Sequence, residues 1–178
     1  MLKKTSLFMV LVFLVIFSGV VSADSLFLGP DSFQHYEDWS GGWKDVRRSL
    51  TDLRPIDYYT TSIIFLWAPI QLPEGAKITS MVVFHYDNNN HSKIKVEIVR
   101  FNRYGNSWQT IIPEWISTDS TTDPKITKRK NVDWAYNKIL NGSCTYHVKL
   151  KFVISDTTDG WTDLRLYGVK IFYKPPTS

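Results

Sequence analysis

Cysteine is almost absent: Cys144 is the only one in 178 residues. No disulfide can close within one copy of the chain, so its fold must be held by a packed core. A lone thiol cannot anchor a zinc site either, and His35, His85, His91 and His147 show no ligand spacing with it. Catalytic signatures are equally scarce. No serine sits in a Gly-x-Ser-x-Gly elbow. A glycosidase-like carboxylate pair could be drawn from Glu37, Asp38, Glu97, Glu114 or Asp133, and spacing selects none of them. No cofactor motif is present. Beyond the first two dozen residues, no apolar run approaches the ~20 residues of a membrane-spanning helix.

A large excess of one charge is missing too. The formal net charge is +4 and the pI about 9.1. Lys3 and Lys4 belong to a short basic start. It is followed by the apolar run Ser6 to Val21 and the small residues Val21-Ser22-Ala23, the pattern of a cleaved signal peptide ending at Ala23. Without residues 1–23 the chain keeps 19 basic and 17 acidic residues, a net +2. Lys128-Arg129-Lys130, the one dense basic run, then reads as a solvated loop, and nucleic acid is not an expected partner. Residues 24–178 are enough for one domain outside the cytoplasm, secreted or on the envelope exterior, with no stable membrane insertion once the signal is gone.

What is present is strand pattern. In Leu72-Pro73-Glu74-Gly75, Pro73 fixes one backbone angle and Gly75 can take the positive φ of a tight turn. The next stretch alternates, with Ile78, Ser80, Val82, Phe84 and Tyr86 on one face and Lys77, Thr79, Met81, Val83 and His85 on the other. Both faces are fairly apolar, as for an interior strand. Ile94, Val96 and Ile98 alternate with Lys93, Lys95 and Glu97, the mark of a strand with one buried and one wet face. Tyr146, Val148, Leu150, Phe152 and Ile154 do the same, and place Cys144 in the core. In the last strand Leu164 and Leu166 share one parity and Val169, Ile171 and Tyr173 the other, which predicts a β-bulge at Tyr167-Gly168. Leu26-Phe27-Leu28 fits an opening edge strand before a turn at 29–32. The apolar run Ile63 to Ala68 fits a strand buried on both faces, with Trp67 in the core.

Other segments carry weaker signals. Asp45 to Leu50 suits a single helical turn. Phe101 to Trp115 looks like an aromatic loop, and 117–123 like a solvated connection. Residues 131–141 suit a strand leading to an Asn141-Gly142 turn. Clustered oxygen ligands at 87–90 and 156–159 could suit calcium, but turn-forming Asx residues account for both.

The run Leu-Pro-x-Gly-Ala-x-Ile-Thr from Leu72, the strand ending Phe-His-Tyr-Asp-Asn, and its partner ending Val-Arg-Phe resemble a pattern in secreted bacterial β-sandwich proteins of unassigned function. The closing run Leu164 to Tyr173 is similar to the last strand of the same group. The resemblance covers residues 60 to 174, implies a fold and a compartment, and transfers no functional residue. Together these patterns predict an all-β fold: one antiparallel β-sandwich, jelly-roll-like, of about eight strands.

Aromatic residues make up 15% of the chain, with seven tryptophans. Trp39, Trp43, Trp108, Trp115 and Trp161 fall in expected loops or strand ends. There they either plug the sandwich or remain free to stack on sugar rings, with polar neighbours supplying specificity. Non-catalytic glycan binding through these five residues ranks first. A structural or assembly protein of the cell surface that meets another protein subunit ranks second, and a hydrolase third. Fold alone cannot separate the three. Self-association, including a bridge through Cys144, stays open.

Overall fold

The computed structural model describes residues 24–35, 46–48, 52–55, 62–88, 92–118, 120–129, 132–133, 135–154 and 164–177. Eleven strands run through them: β1 (Asp24–Leu28), β2 (Gln34–His35), β3 (Val46–Arg48), β4 (Leu53–Pro55), β5 (Ser62–Ile70), β6 (Lys77–Asp87), β7 (Lys93–Asn102), β8 (Ser107–Ile116), β9 (Ser120–Arg129), β10 (Cys144–Ile154) and β11 (Leu164–Lys174). Among the described residues the only helical element is one 3-10 turn, Pro30–Ser32.

The strands form two antiparallel sheets. One has the order β3-β4-β11-β6-β9, with β1 also paired to β11; the other is β2-β5-β10-β7-β8. Without the three shortest strands, the sheets reduce to β1-β11-β6-β9 and β5-β10-β7-β8. That is a jelly roll of eight strands, as the alternation predicts. Every connection from β4 onward except β7 to β8 crosses between the sheets. Each sheet therefore covers the other's apolar face.

The core lies between the sheets. From β10, Tyr146, Val148, Leu150, Phe152 and Ile154 all point into it, with Cys144 in line. From β7 come Ile94, Val96 and Ile98. Each such aliphatic or aromatic side chain contributes about 1.5–3 kcal/mol on full burial. Eight from two adjacent central strands make this pair the spine of the domain.

Two bulges set which residues face inward. In β11 the register against β6 skips between Leu166 and Gly168, so Val169 and Ile171 follow Leu164 and Leu166 into the core. Gly168 has φ 153°, and a Cβ there would stand 2.5 Å from Phe27 Cζ and 2.8 Å from the Leu28 carbonyl oxygen. Glycine is required because β1 passes directly over that backbone. In β6 a second skip falls between the partners of Phe172 and Tyr173, leaving Thr79 as the extra residue. Its hydroxyl donates to the Phe172 carbonyl at 3.1 Å. Simple alternation from Ile78 would continue inward through Val82 and Phe84. Beyond the bulge Met81 and Val83 enter the core instead, with His85 and Asp87 buried at the same parity. Gly75, at φ 81°, closes the turn before β6 as predicted.

Other expectations need correction. Residues 46–48 form a strand and not a helical turn, because they pair with β4. Most of Phe101 to Trp115 is the end of β7 and the strand β8, and β9 begins within the segment read as a solvated connection. Lys128 and Arg129 lie on β9. The described part of 131–141 is a connection with one isolated bridge, Lys77 to Lys138, before a turn at 141–143. Trp67 is not in the core. Ile64, Leu66, Ala68 and Ile70 take the inward positions of β5, and Ile63, Phe65 and Trp67 lie on the outer face.

Candidate functional site

The outer face of the five-stranded sheet is laid out in rungs. Phe65, Lys151 and Lys95 form one; Trp67, Lys149 and Glu97 the next; then Pro69, His147, Val99 and Thr110; then Thr145, Phe101 and Trp108. Strand alternation puts these residues on one surface, and cross-strand register brings them side by side. Trp67 on β5 and Trp108 on β8 stand three strand spacings apart, about 14 Å across the sheet, and are also offset by four residues along it. Their rings nevertheless meet, with centroids 4.9 Å apart and planes at 46°. The two indoles lean toward each other across β10 and β7. His147 sits edge-on beneath both, at 5.6 Å from Trp67 and 5.9 Å from Trp108. Phe101 supports Trp108 from the other side at 4.9 Å. Trp108 still keeps 47% of its surface exposed.

Beside this aromatic bridge is a depression of about 380 Å³ lined by Phe65, Trp67, Glu97, Val99, Trp108, Thr110 and Lys149. Its walls are indole and its floor is polar. Lys149 Nζ lies 3.0 Å from Glu97 Oε1 and also over the Trp67 ring at 5.5 Å. The adjoining rung continues the ion pairs: Lys151 meets Glu97 and Glu114, and Lys95 meets Glu114 at 3.1 Å. Burial alone would raise the Glu114 carboxyl, but hydrogen bonds and charge from Lys151 and Lys95 outweigh it and hold the group below its ordinary value. A general acid needs the opposite shift. Glu114 is therefore held as a carboxylate, and Glu97 sits in the same lysine lattice. Asp133, another candidate, is exposed and accepts a hydrogen bond from the Ala135 backbone N–H, a turn role.

The five expected contact residues separate. Trp108 is on the outer face. Trp115 is not at the rim: it is 6% exposed, inside the core, with its ring 4.7 Å from that of His85. The bulged pairing of β8 against β7 turns Trp115 inward opposite Val96. Trp39, Trp43 and Trp161 lie outside the described residues. Sequence reasoning passes over Trp67 and the Glu97–Lys149 pair as site residues. The wet parity of Glu97 and Lys149 is visible in the chain, but their cross-strand partners are not.

Of the clustered oxygen ligands, residues 89–90 and 156–159 lie outside the described residues. Asp87 is buried and accepts from the Ser117 hydroxyl, which itself accepts from the Ile94 backbone N–H at 2.8 Å, while Lys93 approaches within 3.8 Å. This cluster ties the end of β6 to β7 and β8. Among the described residues, no three His, Cys, Asp or Glu side chains are grouped so as to hold a metal ion, and no helix is long and apolar enough to cross a membrane.

Fold and face together define a jelly-roll sandwich with an aromatic, partly concave sheet surface. No family model matches the chain, and no curated protein matches it. Among solved structures it is similar to a CBM61 module determined in complex with β-1,4-galactotriose. The two are 14% identical over 84% of this chain and 83% of that one, with a TM-score of 0.31. A likeness this distant bears no weight, and the functional reading rests on the residues of this chain alone.

Proposed function

We propose that this is an exported, non-catalytic glycan-binding domain that lays sugar rings against the outer face of its five-stranded sheet. One observation carries the reading: the half-exposed Trp108, braced by Trp67 and Phe101, stands over a polar depression that holds the Glu97–Lys149 pair. A sugar ring has apolar C–H faces and an equatorial fringe of hydroxyls. The indoles suit the faces. The carboxylate accepts from hydroxyls and the ammonium donates to them, so an ion pair already in place offers both functions without unpaired charge. Export is supported by the basic, apolar and small-residue succession at residues 1–23. The absence of catalysis is supported by the lysines paired with Glu97 and Glu114.

A glycan array probed with residues 24–178 tests this, followed by titration of the best hit. Trp108→Ala is expected to weaken binding at least tenfold, the cost of losing a central aromatic contact worth about 1.4 kcal/mol or more. Trp108 is half exposed, so thermal stability should change little. An array without hits, or a hit indifferent to Trp108→Ala, removes the proposal. Turnover of any hit would restore the hydrolase reading.

A further inference from the structure

A second depression adjoins the first. It has a volume of about 450 Å³, and Pro69, Gln71, Arg103, Asn141, Thr145 and His147 supply its outward side chains. His147 is the partner of Val99 in the β7–β10 ladder, and Val99 lines the first depression. The two hollows therefore lie on either side of that rung, divided by the Trp67–Trp108 bridge with His147 beneath it. From Lys149 to Thr145 along β10 the surface runs about 14 Å, four strand residues. That is room for a chain and not for one ring.

The chemistry of the two hollows differs. The first holds a neutralised Glu–Lys pair. The second is lined by amides, a hydroxyl and one guanidinium, with no carboxylate in its walls; Glu74, outside them, accepts from the Asn141 backbone N–H. Among the described residues Arg103 has no ion-pair partner. Its position is fixed from two sides. Its own backbone N–H donates to the Ser143 carbonyl at 2.9 Å. The Asn102 side chain accepts from the backbone N–H groups of Tyr104 and Gly105, at 3.0 and 3.2 Å, which holds the turn after β7.

We propose that the glycan runs across both depressions and that Arg103 in the second selects an anionic substituent, a uronate carboxylate or a sulfate ester, on the sugar beyond the aromatic bridge. A planar guanidinium fork matches either group through two parallel N–H donors. This inference rests on the glycan reading and adds to it a length and a charge.

The test uses three probes: a tetrasaccharide of neutral hexoses carrying one terminal hexuronate, the same compound after carboxyl reduction, and a mono-sulfated form of the neutral compound. Calorimetric titration at low salt is expected to show at least one anionic probe binding about fivefold tighter than the neutral one, a ratio suited to a solvent-exposed pair. Arg103→Gln should erase that preference, so that the anionic and neutral probes bind alike, and rising salt should erase it in the native chain. Trp108→Ala should weaken all three alike. Equal binding of all probes, or a preference that survives Arg103→Gln, overturns the assignment of Arg103, while Trp108-dependent binding of the neutral probe would leave the glycan reading standing. No binding of any probe overturns the assignment of Arg103 for these ligands.

Discussion

His85 offers the sharpest physical test of this fold. The bulge at Thr79 turns its side chain into the sandwich, where it is wholly buried with its ring against Trp115. Neither ring nitrogen makes a hydrogen bond of good geometry among the described residues. Burial pushes the imidazole down from 6.5 to about 4, with the Val83 backbone opposing the fall and the charge of Lys125, across the strand on β9, adding to it. Between those two values the unfolded chain binds a proton that the folded chain refuses. Stability contributed by the neutral ring is present above pH 6.5 and lost as pH falls toward 4. The full loss is about 3 kcal/mol, and about 2 kcal/mol is already gone at pH 5. His85→Phe keeps an aromatic ring beside Trp115 and removes the titration. At pH 7.5 the variant should lie within about 1 kcal/mol of the native chain, since two unbonded buried nitrogens are exchanged for carbon at some cost in volume. Urea unfolding followed by tryptophan fluorescence at pH 7.5 and 5 measures the difference. The native chain should lose about 2 kcal/mol more than the variant over that interval. His147, itself lowered by burial, titrates in both and cancels. Parallel losses would refute the argument and place His85 where water reaches it. If phenylalanine proves too large, His85→Leu makes the same comparison.

The packing sets three more expected outcomes. Trp115→Ala should cost about 3–5 kcal/mol in urea unfolding, as a core truncation does, whereas Trp108→Ala should cost far less. Gly168→Ala forces a Cβ against Phe27 and Leu28 at a φ that alanine avoids, so its melting temperature should fall by at least ~5 °C, about 2 kcal/mol for a domain of this size. Cys144 is buried beneath the 141–143 turn, so a thiol reagent should label it only when the domain unfolds, and Cys144→Ser should leave the solution mass unchanged.

The strands legible from sequence are those with one wet and one dry face. β7 and β10 alternate Lys or Glu with Ile, Val, Leu or Phe because one side meets solvent and the other meets the opposite sheet. β11 betrays its bulge because glycine and a parity change fall together. β8 and β9 are hidden for a shared reason. Each is the last strand of its sheet, and edge strands tolerate proline and polar residues that interior strands do not. Pro113 and the Ser120-Thr121-Thr122-Asp123-Pro124 run therefore look like loop. The site is obscured by a different ambiguity. β5 is apolar on both faces, and local pattern cannot tell an apolar face covered by a second sheet from one left to make contacts. Pattern alone puts Trp67 inward on that account, and Trp115 outward because its strand escapes recognition.

The pairing of β1 with β11 has an effect on how the domain would be carried. Asp24 lies opposite Tyr173, so any leader upstream and any tail downstream leave from a single corner. That corner belongs to the six-stranded layer, at the back of the molecule relative to Trp67 and Trp108. A leash fixed at either extremity would hold the domain by its rear and leave the aromatic side facing outward, unobstructed by its own tether.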